Sequence, residues 1–207
     1  MKLYKLYEEV LREGMLKEIF TYHGSPNNID KFIFKPVNWS EVVGRPEYGF
    51  HFGPLEAAKM RMLHKGIDGF MYKVELNIKN PLRLKEGRND GGWNPNFIVK
   101  KIIEKTNLAT QEEIDSWDTG GKEGSLVNSK GIDWFEVANN EDYTFEDQGK
   151  WVEQWLLDRG YDSIVYDNEF EGGGDSYLVF NTDLINIVDK NPYNINKNTL
   201  ISDLPLH

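Results

Sequence analysis

Residues 160–180, with the sequence GYDSIVYDNEFEGGGDSYLVF, place the tightest constraint on the fold of this chain. Two runs rich in β-branched and aromatic residues, 163–166 and 176–180, flank a polar segment that ends in three glycines. Such runs, bounded by Asp, Asn and Gly, predict two paired strands around a loop. Glycines permit positive φ and let the backbone approach a ligand closely. The loop also carries Glu169 and Glu171, so it is either a solvated acidic hairpin or part of a functional site.

Composition indicates a globular protein rather than a disordered one. The chain has 207 residues, of which 39% are hydrophobic and 13% aromatic, enough to bury a substantial core. We expect a single domain over residues 1–190. The Asn-rich segment 191–207 has no hydrophobic pattern, so we expect a C-terminal tail that lies on the surface or is mobile.

Charge and cysteine content exclude several classes of function. A formal net charge of -10 disfavours broad binding to nucleic acid and favours a protein or small-molecule partner. The absence of cysteine excludes disulfides, thiolate nucleophiles and Cys-ligated zinc. Glu8 and Glu9 interrupt the start of the chain before an apolar core of signal-peptide length can form, and no run reaches the roughly 18 apolar residues of a membrane span. We therefore expect a cytoplasmic protein without membrane association.

Hydrophobic periodicity predicts a mixture of helices and strands, and hence the α+β class. Besides the hairpin, the predicted strands cover residues 19–22, 48–53 and 70–78. The predicted helices cover residues 55–65, 97–104, 111–117 and 148–159, and a first helix has its apolar residues at 3–11 and ends near Gly14. Leu82 and Leu84 are interpreted as an edge extension of the 70–78 strand.

Two of the four histidines are candidates for function. His23 and His51 each lie in or at the end of an aromatic strand and next to a glycine, whereas His64 and His207 are interpreted as surface residues. A metal site built from these two candidates with Glu169 and Glu171 lacks the usual ligand spacing, so we predict no metal. The chain contains no GxSxG, Walker A or GxGxxG motif.

Three segments together resemble the ADP-ribosyltransferase fold of the poly-ADP-ribose-polymerase and diphtheria-toxin type. The first, Tyr22-His23-Gly24-Ser25, is similar to that family's strand ending in His-Gly-Ser or His-Gly-Thr. The resemblance implies that His23 hydrogen-bonds the ribose of NAD and that the backbone of Gly24 grips the nicotinamide amide. Ser25 completes this motif.

The second segment, residues 48–53, is similar to the family's Gly-x-Tyr-Phe-Ala motif, whose tyrosine stacks on nicotinamide. His51 stands at the position of that tyrosine. The resemblance therefore implies that NAD contacts Tyr48, Phe50, His51 and Phe52.

The third segment, residues 176–180, is similar to a strand that begins with the family's catalytic glutamate, but Ser176 replaces the glutamate. Cleavage of the nicotinamide–ribose bond builds positive charge on the ribose, which a nearby carboxylate stabilises in the transition state. We predict that Glu171 is the main catalytic carboxylate, with Glu169 as a reserve. Ser176 is then a ligand-contacting or structural residue, and Asn168 in the same turn is a predicted NAD contact.

The resemblance implies split, mostly antiparallel sheets around an NAD cleft with flanking helices. It also implies a mono-ADP-ribosyltransferase that uses NAD as co-substrate to modify a macromolecule, and the net acidity favours a protein as the acceptor. The chain also looks like ADP-ribosyltransferase domains of phage and mobile-element proteins, which implies a phage or bacterial effector. Two alternatives stay open: an NAD- or nucleotide-binding module that has lost transfer and acts by interaction, and an unrelated structural protein.

Overall fold

The protein is described by a computed structural model, which covers residues 19–34, 47–85, 92–122, 124–169, 171, 173–196 and 199–200. Within these residues the chain forms two β-sheets with helices packed around them. The helix predicted for residues 3–11 lies outside the described residues, as does the end of the predicted tail, 201–207. No helix of the described part is long and apolar enough to cross a membrane.

Strands and helices alternate irregularly along the chain. The strands are β1 (Ile19–Ser25), β2 (Phe50–Phe52), β3 (Gly69–Leu76), β4 (Pro81–Leu84), β5 (Ser163–Asp167), β6 (Asp175–Val179), β7 (Ile185–Asn194) and β8 (Thr199–Leu200). The helices are α1 (Leu55–Lys65), α2 (Pro95–Lys105), α3 (Gln111–Thr119), α4 (Trp134–Asn139) and α5 (Phe145–Leu157).

Each sheet contains four of the described strands. The first sheet has the order β1-β3-β7-β8 and is antiparallel throughout. The second has the order β2-β6-β5-β4 and is antiparallel except for the parallel β4–β5 pair. The predicted α+β class is confirmed.

The predicted hairpin forms the centre of the second sheet. β5 and β6 pair antiparallel, with Ile164 opposite Leu178 and both side chains fully buried. In the turn between them, Gly173 and Gly174 have φ of 78° and 87°, a region that glycine enters without steric strain. The alternative of a solvated surface hairpin is therefore wrong for the strands.

A large hydrophobic core lies between the second sheet and helices α2, α4 and α5. The predicted stripe of α5 is confirmed: Trp151, Val152, Trp155 and Leu156 are all buried. Burying a large apolar side chain contributes about 1.5–3 kcal/mol. The helix begins at Phe145 rather than at residue 148, because Thr144 and Asp147 form a capping box.

The two sheets are joined where the edge strands β1 and β2 meet. Tyr22 and Gly53 exchange both backbone hydrogen bonds, at 2.8 and 3.0 Å. Continuing this antiparallel register would place Gly24 opposite His51. The carbonyl oxygen of His51 instead accepts a hydrogen bond of 2.8 Å from Nδ1 of His23. The strands therefore diverge at this point and leave a cavity between the sheets.

One prediction about the strands is wrong. Leu82 and Leu84 do not extend β3; they belong to β4, which joins the other sheet beside β5. The chain changes sheets because the backbone N–H groups of Lys79 and Asn80 donate to the Asp162 carboxylate, at 2.6 and 3.3 Å, just before β5.

The predicted tail also starts too early. β7 pairs with β3 as far as Tyr193 and ends at Asn194, beyond the domain boundary predicted at residue 190. Tyr193 is 2% exposed. This polar segment is anchored in the core through one aromatic residue. One apolar residue is too weak a hydrophobic pattern to predict a strand.

A close contact between α5 and Tyr48 generates a stability prediction. A Cβ at Gly149 would overlap the ring of Tyr48. Glycine to alanine inside a helix normally stabilises by about 0.5–1 kcal/mol, but we expect Gly149→Ala to lower the free energy of unfolding by about 1–3 kcal/mol because the packed ring must move. Urea denaturation followed by circular dichroism measures the change. Lys150→Ala, at the exposed neighbouring position, should change stability by less than about 0.5 kcal/mol. Unchanged or higher stability of Gly149→Ala would contradict the packing.

Candidate functional site

A cavity of about 500 Å³ opens where β1 and β2 diverge. Its walls come from these strands, from helix α1, from the β5–β6 turn and from the segment around Trp93. This volume lies in the range of roughly 300–1,000 Å³ that is usual for small-molecule sites. The cavity is therefore large enough to hold most of a ligand the size of a nucleotide.

Most of the predicted site residues line this cavity. They are His23, Gly24, Phe50, His51, Phe52, Asn168, Glu171 and Ser176. They come from three segments far apart in sequence, and the β1–β2 junction and the β2–β6 pairing bring them together.

Three predicted site residues lie outside the cavity. Tyr48 is 3% exposed and is stacked between Phe34 and Phe180, with ring centroids 4.9 and 5.9 Å away, so it is a core residue. Ser25 is buried, and its Oγ accepts a hydrogen bond of 3.2 Å from the N–H of Asn27. Glu169 is exposed on the turn and does not line the cavity, so its prediction as the reserve carboxylate is not supported by its position.

Other cavity residues were missed by the sequence analysis. Arg61 and Lys65 line it from α1, Glu47 from the segment before β2, and Trp93 and Tyr166 from the opposite wall. Arg61 and Lys65 are four residues apart in a predicted helix, so the sequence could have placed both side chains on one helix face. No comparable pattern marks Trp93.

His23 is a neutral hydrogen-bond acceptor toward the cavity. The carbonyl oxygen of His51 can only accept a hydrogen bond, so Nδ1 of His23 carries the proton and Nε2 has a free lone pair. Burial lowers the pKa of His23 from 6.5 to about 4, with small contributions from the charges of Lys65 and Arg61 and against the opposing effect of the hydrogen bond to the His51 carbonyl. The ring is fixed by Phe32 and Phe52, with centroids 5.2 and 5.6 Å away.

The backbone of Gly24 faces the same cavity. In a strand, the N–H and C=O of residues i and i+2 point to the same side. Tyr22 directs both groups at Gly53 of β2, so Gly24 directs its N–H and C=O to the β2 side as well. If the ladder continued, the carbonyl of His51 would accept a hydrogen bond from Gly24. It instead accepts one from the His23 ring. Gly24 thus presents one donor and one acceptor at the cavity wall.

His51 is held in an aromatic corner. Its Nδ1 lies 2.8 Å from Oη of Tyr166, and the rings of Trp93 and Tyr166 stand edge-on to it at 5.9 and 6.0 Å. Burial lowers the pKa of His51 to about 4, an effect that Glu47 only partly opposes, so the ring is neutral at pH 7. The 3.8 Å approach of Nε2 to Glu47 is therefore not an ion pair.

The second nitrogen of this ring lacks a partner. Nε2 of His51 is buried and makes no hydrogen bond with any described residue. An unsatisfied buried polar atom costs about 1–3 kcal/mol, and native proteins contain few of them. Such an atom at a cavity wall is typical of a position that a ligand completes.

Asn168 organises the β5–β6 turn. Its Nδ2 donates to Oε2 of Glu171 at 2.9 Å and to Oγ of Ser176 at 3.3 Å, and its Oδ1 accepts from the N–H of Glu171 at 3.1 Å. The backbone N–H of Gly173 also donates to the carbonyl of Asn168 at 2.8 Å. Glu171 is therefore held at the cavity by its hydrogen bonds with Asn168. Its side chain is 18% exposed.

Ser176 occupies a confined position beneath this network. It is 2% exposed, and a Cβ at Gly53 would lie 2.6 Å from its Oγ. Position 176, the second residue of β6, thus holds a small buried hydroxyl. Among the described residues that line the cavity, the carboxylates are Glu47 and Glu171.

Arg61 links these two carboxylates across the mouth of the cavity. Its Nη2 donates to Oε2 of Glu47 at 2.7 Å and its Nη1 to Oε1 of Glu171 at 3.3 Å. The guanidinium side chain is 44% exposed, so these pairs contribute modestly to stability.

The lowered histidine pKa values predict a specific pH dependence of stability. The unfolded chain binds protons near pH 6.5 that the folded protein binds only near pH 4, so stability is full above about pH 6.5 and falls as the pH drops toward 4. Each histidine should lower the free energy of unfolding by on the order of 1–2 kcal/mol between pH 7 and pH 5.

Urea denaturation at the two pH values tests this prediction. His51→Gln should show a smaller loss between pH 7 and pH 5 than the wild type, because glutamine does not titrate. His64→Gln, at an exposed position of α1, should keep the full loss. An identical pH dependence in His51→Gln and wild type would show that the ring is not held neutral.

Comparisons with known proteins do not assign the chain to a family. No family model matches it, and no curated protein matches it. Among solved structures it is similar to one described as the crystal structure of an anti-CRISPR protein, with 12% identity, coverage of 84% of this chain and 95% of that chain, and a TM-score of 0.34. A similarity at this TM-score carries no argument about fold or function.

Proposed function

We propose that the protein is an NAD-dependent mono-ADP-ribosyltransferase whose cleft lies between the two sheets. The observation that carries the proposal is the position of Glu171, a carboxylate held by Asn168 in the same cavity as His23 and His51. A hydrogen-bonding imidazole, a planar ring and a carboxylate are the groups that the three motifs supply in the resembling family. Here the carboxylate comes from the turn before β6 instead of from the strand start.

The chemistry requires a negative charge near the reacting ribose. As the bond between the ribose C1′ and the nicotinamide nitrogen breaks, the leaving nicotinamide takes the bonding electron pair and becomes neutral. The ribose carries the developing positive charge until a nucleophile of the acceptor attacks C1′ and loses its proton. A preorganised carboxylate stabilises this charge more in the transition state than in the ground state. We assign this role to Glu171.

The neutral histidines suit the binding of NAD. Nε2 of His23 can accept a hydrogen bond from a ribose hydroxyl, because its other nitrogen is committed to the His51 carbonyl. The N–H and C=O of Gly24 match the acceptor and donor of a carboxamide such as that of nicotinamide. The ring of His51 offers a planar surface, and its unpaired Nε2 offers a further hydrogen bond. None of these contacts requires the imidazoles to be charged.

We propose a protein as the acceptor. With a net charge of -10 the surface repels polynucleotide backbones, whereas a protein acceptor faces no such general barrier. Incubation of the purified protein with NAD labelled in the adenylate moiety and a bacterial lysate, followed by gel electrophoresis and nuclease or protease treatment, identifies the class of the labelled product.

Replacement of Glu171 tests the catalytic assignment. Glu171→Gln removes the charge but keeps the shape and one acceptor oxygen, so transfer should fall about a hundredfold or more without weaker NAD binding. Transfer is measured as label incorporation, and binding as the dissociation constant from calorimetry. Glu169→Gln is the matched control, because it removes the same charge from an exposed position of the same turn and should retain activity.

Two results would contradict the assignment in different ways. A fully active Glu171→Gln with an inactive Ser176→Ala would place the catalytic centre at the strand start. Wild-type protein that binds NAD but shows neither transfer nor release of nicotinamide would favour a nucleotide-binding module that acts by interaction.

A further inference from the structure

Helix α1 presents two cations to the cavity. Arg61 and Lys65 are four residues apart, which places them one turn apart on the same face, and both line the cavity wall. The chain as a whole has 24 basic and 34 acidic residues. Two cations at one cavity therefore contrast with the net negative charge of the protein.

The two cations differ in how far nearby carboxylates neutralise them: Arg61 is paired with Glu47 and Glu171, whereas Lys65 is not. Burial lowers the pKa of Lys65 and the charge of Arg61 lowers it further, against the partial opposition of Glu47 and Glu171. Lys65 forms no ion pair with any residue in the described ranges. Both cations also lower the pKa of His23, so their charges act on a group that lines the cavity. An anion placed here would relieve the repulsion between the two side chains.

The two hydrogen-bonding arms of Arg61 differ. Nη2 holds Glu47 at 2.7 Å, whereas Nη1 reaches Glu171 at 3.3 Å, a longer and weaker contact. A guanidinium has five N–H donors in a planar fork that fits phosphate oxygens. Arg61 can therefore keep the hydrogen bond from Nη2 to Glu47 while Nη1 leaves Glu171 for a stronger acceptor.

We propose that Arg61 and Lys65 form a subsite for the phosphate groups of a nucleoside diphosphate. The subsite lies on the C-terminal half of α1, where the helix dipole disfavours anions, so the two side chains supply the attraction. That the nucleoside diphosphate is part of NAD rests on the proposed function; the binding itself does not.

Engagement of this subsite has a consequence for Glu171. A phosphate oxygen that takes Nη1 of Arg61 frees Oε1 of Glu171, while Oε2 stays bonded to Nδ2 of Asn168. The carboxylate then has an oxygen available for the ribose, in an orientation that the turn still fixes. Binding of the phosphates and exposure of the carboxylate are thereby coupled through one guanidinium.

Calorimetric titration with ADP and with adenosine tests the subsite, because neither ligand has a nicotinamide bond to break. The wild type should bind ADP at least about tenfold more tightly than adenosine. Arg61→Gln and Lys65→Gln should each weaken ADP binding about tenfold or more and leave adenosine binding unchanged. Lys59→Gln is the matched control: it removes the same charge from α1 at a position that pairs with Glu56, outside the cavity lining, and should retain ADP binding.

The exchange at Arg61 has its own readout. Glu171→Gln replaces the carboxylate that competes for Nη1 with a weaker, neutral acceptor, so ADP binding should become several-fold tighter, an effect that a purely structural role for Arg61 would not produce. Equal affinities of the wild type for ADP and adenosine, no binding of either, or Gln variants that bind ADP as the wild type does would each overturn the subsite. Unchanged ADP affinity in Glu171→Gln would overturn the exchange.

Failure of this subsite and failure of the proposed function give different results. ADP binding that depends on Arg61 and Lys65, in a protein that does not cleave NAD, leaves the subsite in place and removes the transferase. If NAD cleavage depends on Glu171 but replacement of Arg61 or Lys65 leaves ADP binding unchanged, the transferase stays in place and the subsite is removed.

Discussion

The hydrogen-bonded contact between Tyr22 and Gly53 is the interaction on which the rest of the site depends. It is an isolated antiparallel bridge between the edges of two sheets that also share a hydrophobic cluster, and Thr21 reinforces it with a bond of 2.6 Å to the Gly53 carbonyl. If the ladder continued, Gly24 and His51 would pair and close the gap. Because the His23 ring takes the His51 carbonyl, the ladder stops after one bridge and the sheets separate into a cavity. The hydrogen bond from the His23 ring thus replaces the next pair of the ladder and also fixes the proton of this ring on Nδ1.

Electrostatics divides this cavity into a neutral and a charged part. The imidazoles of His23 and His51 are kept neutral by burial, with pKa values of about 4. The mouth carries the chain of charges from Glu47 through Arg61 to Glu171, with Lys65 beside it. A ligand with a neutral planar end and an anionic middle is complementary to this division, since each part would meet groups of matching character. NAD has this distribution, which supports the proposed co-substrate.

The carboxylate to which we propose to assign catalysis lies in the turn before β6, whereas the resembling family carries it at the start of a strand. Ser176 is 2% exposed, its Oγ accepts a hydrogen bond from Nδ2 of Asn168, and a Cβ at Gly53 would lie 2.6 Å from that Oγ. Asn168 instead holds the backbone N–H and one carboxylate oxygen of Glu171 through hydrogen bonds. A fixed orientation matters for catalysis because the stabilising charge must be in place before the reaction begins.

The sequence by itself determined the local elements: the hairpin of residues 160–180, the helix at 55–65 and the α+β class follow from periodicity and turn residues, which are properties of neighbours along the chain. It also indicated His23, His51 and Glu171, because motif order survives without coordinates. Tertiary structure alone decided which residues share the cavity. Strand pairing across more than a hundred residues placed Tyr48 in the core and Glu169 in solvent, and brought Arg61 to Glu171, as no local pattern could specify. The sequence likewise could not show that His23, and not Gly24, hydrogen-bonds the His51 carbonyl. This bond depends on two strands that pair at one position and then diverge.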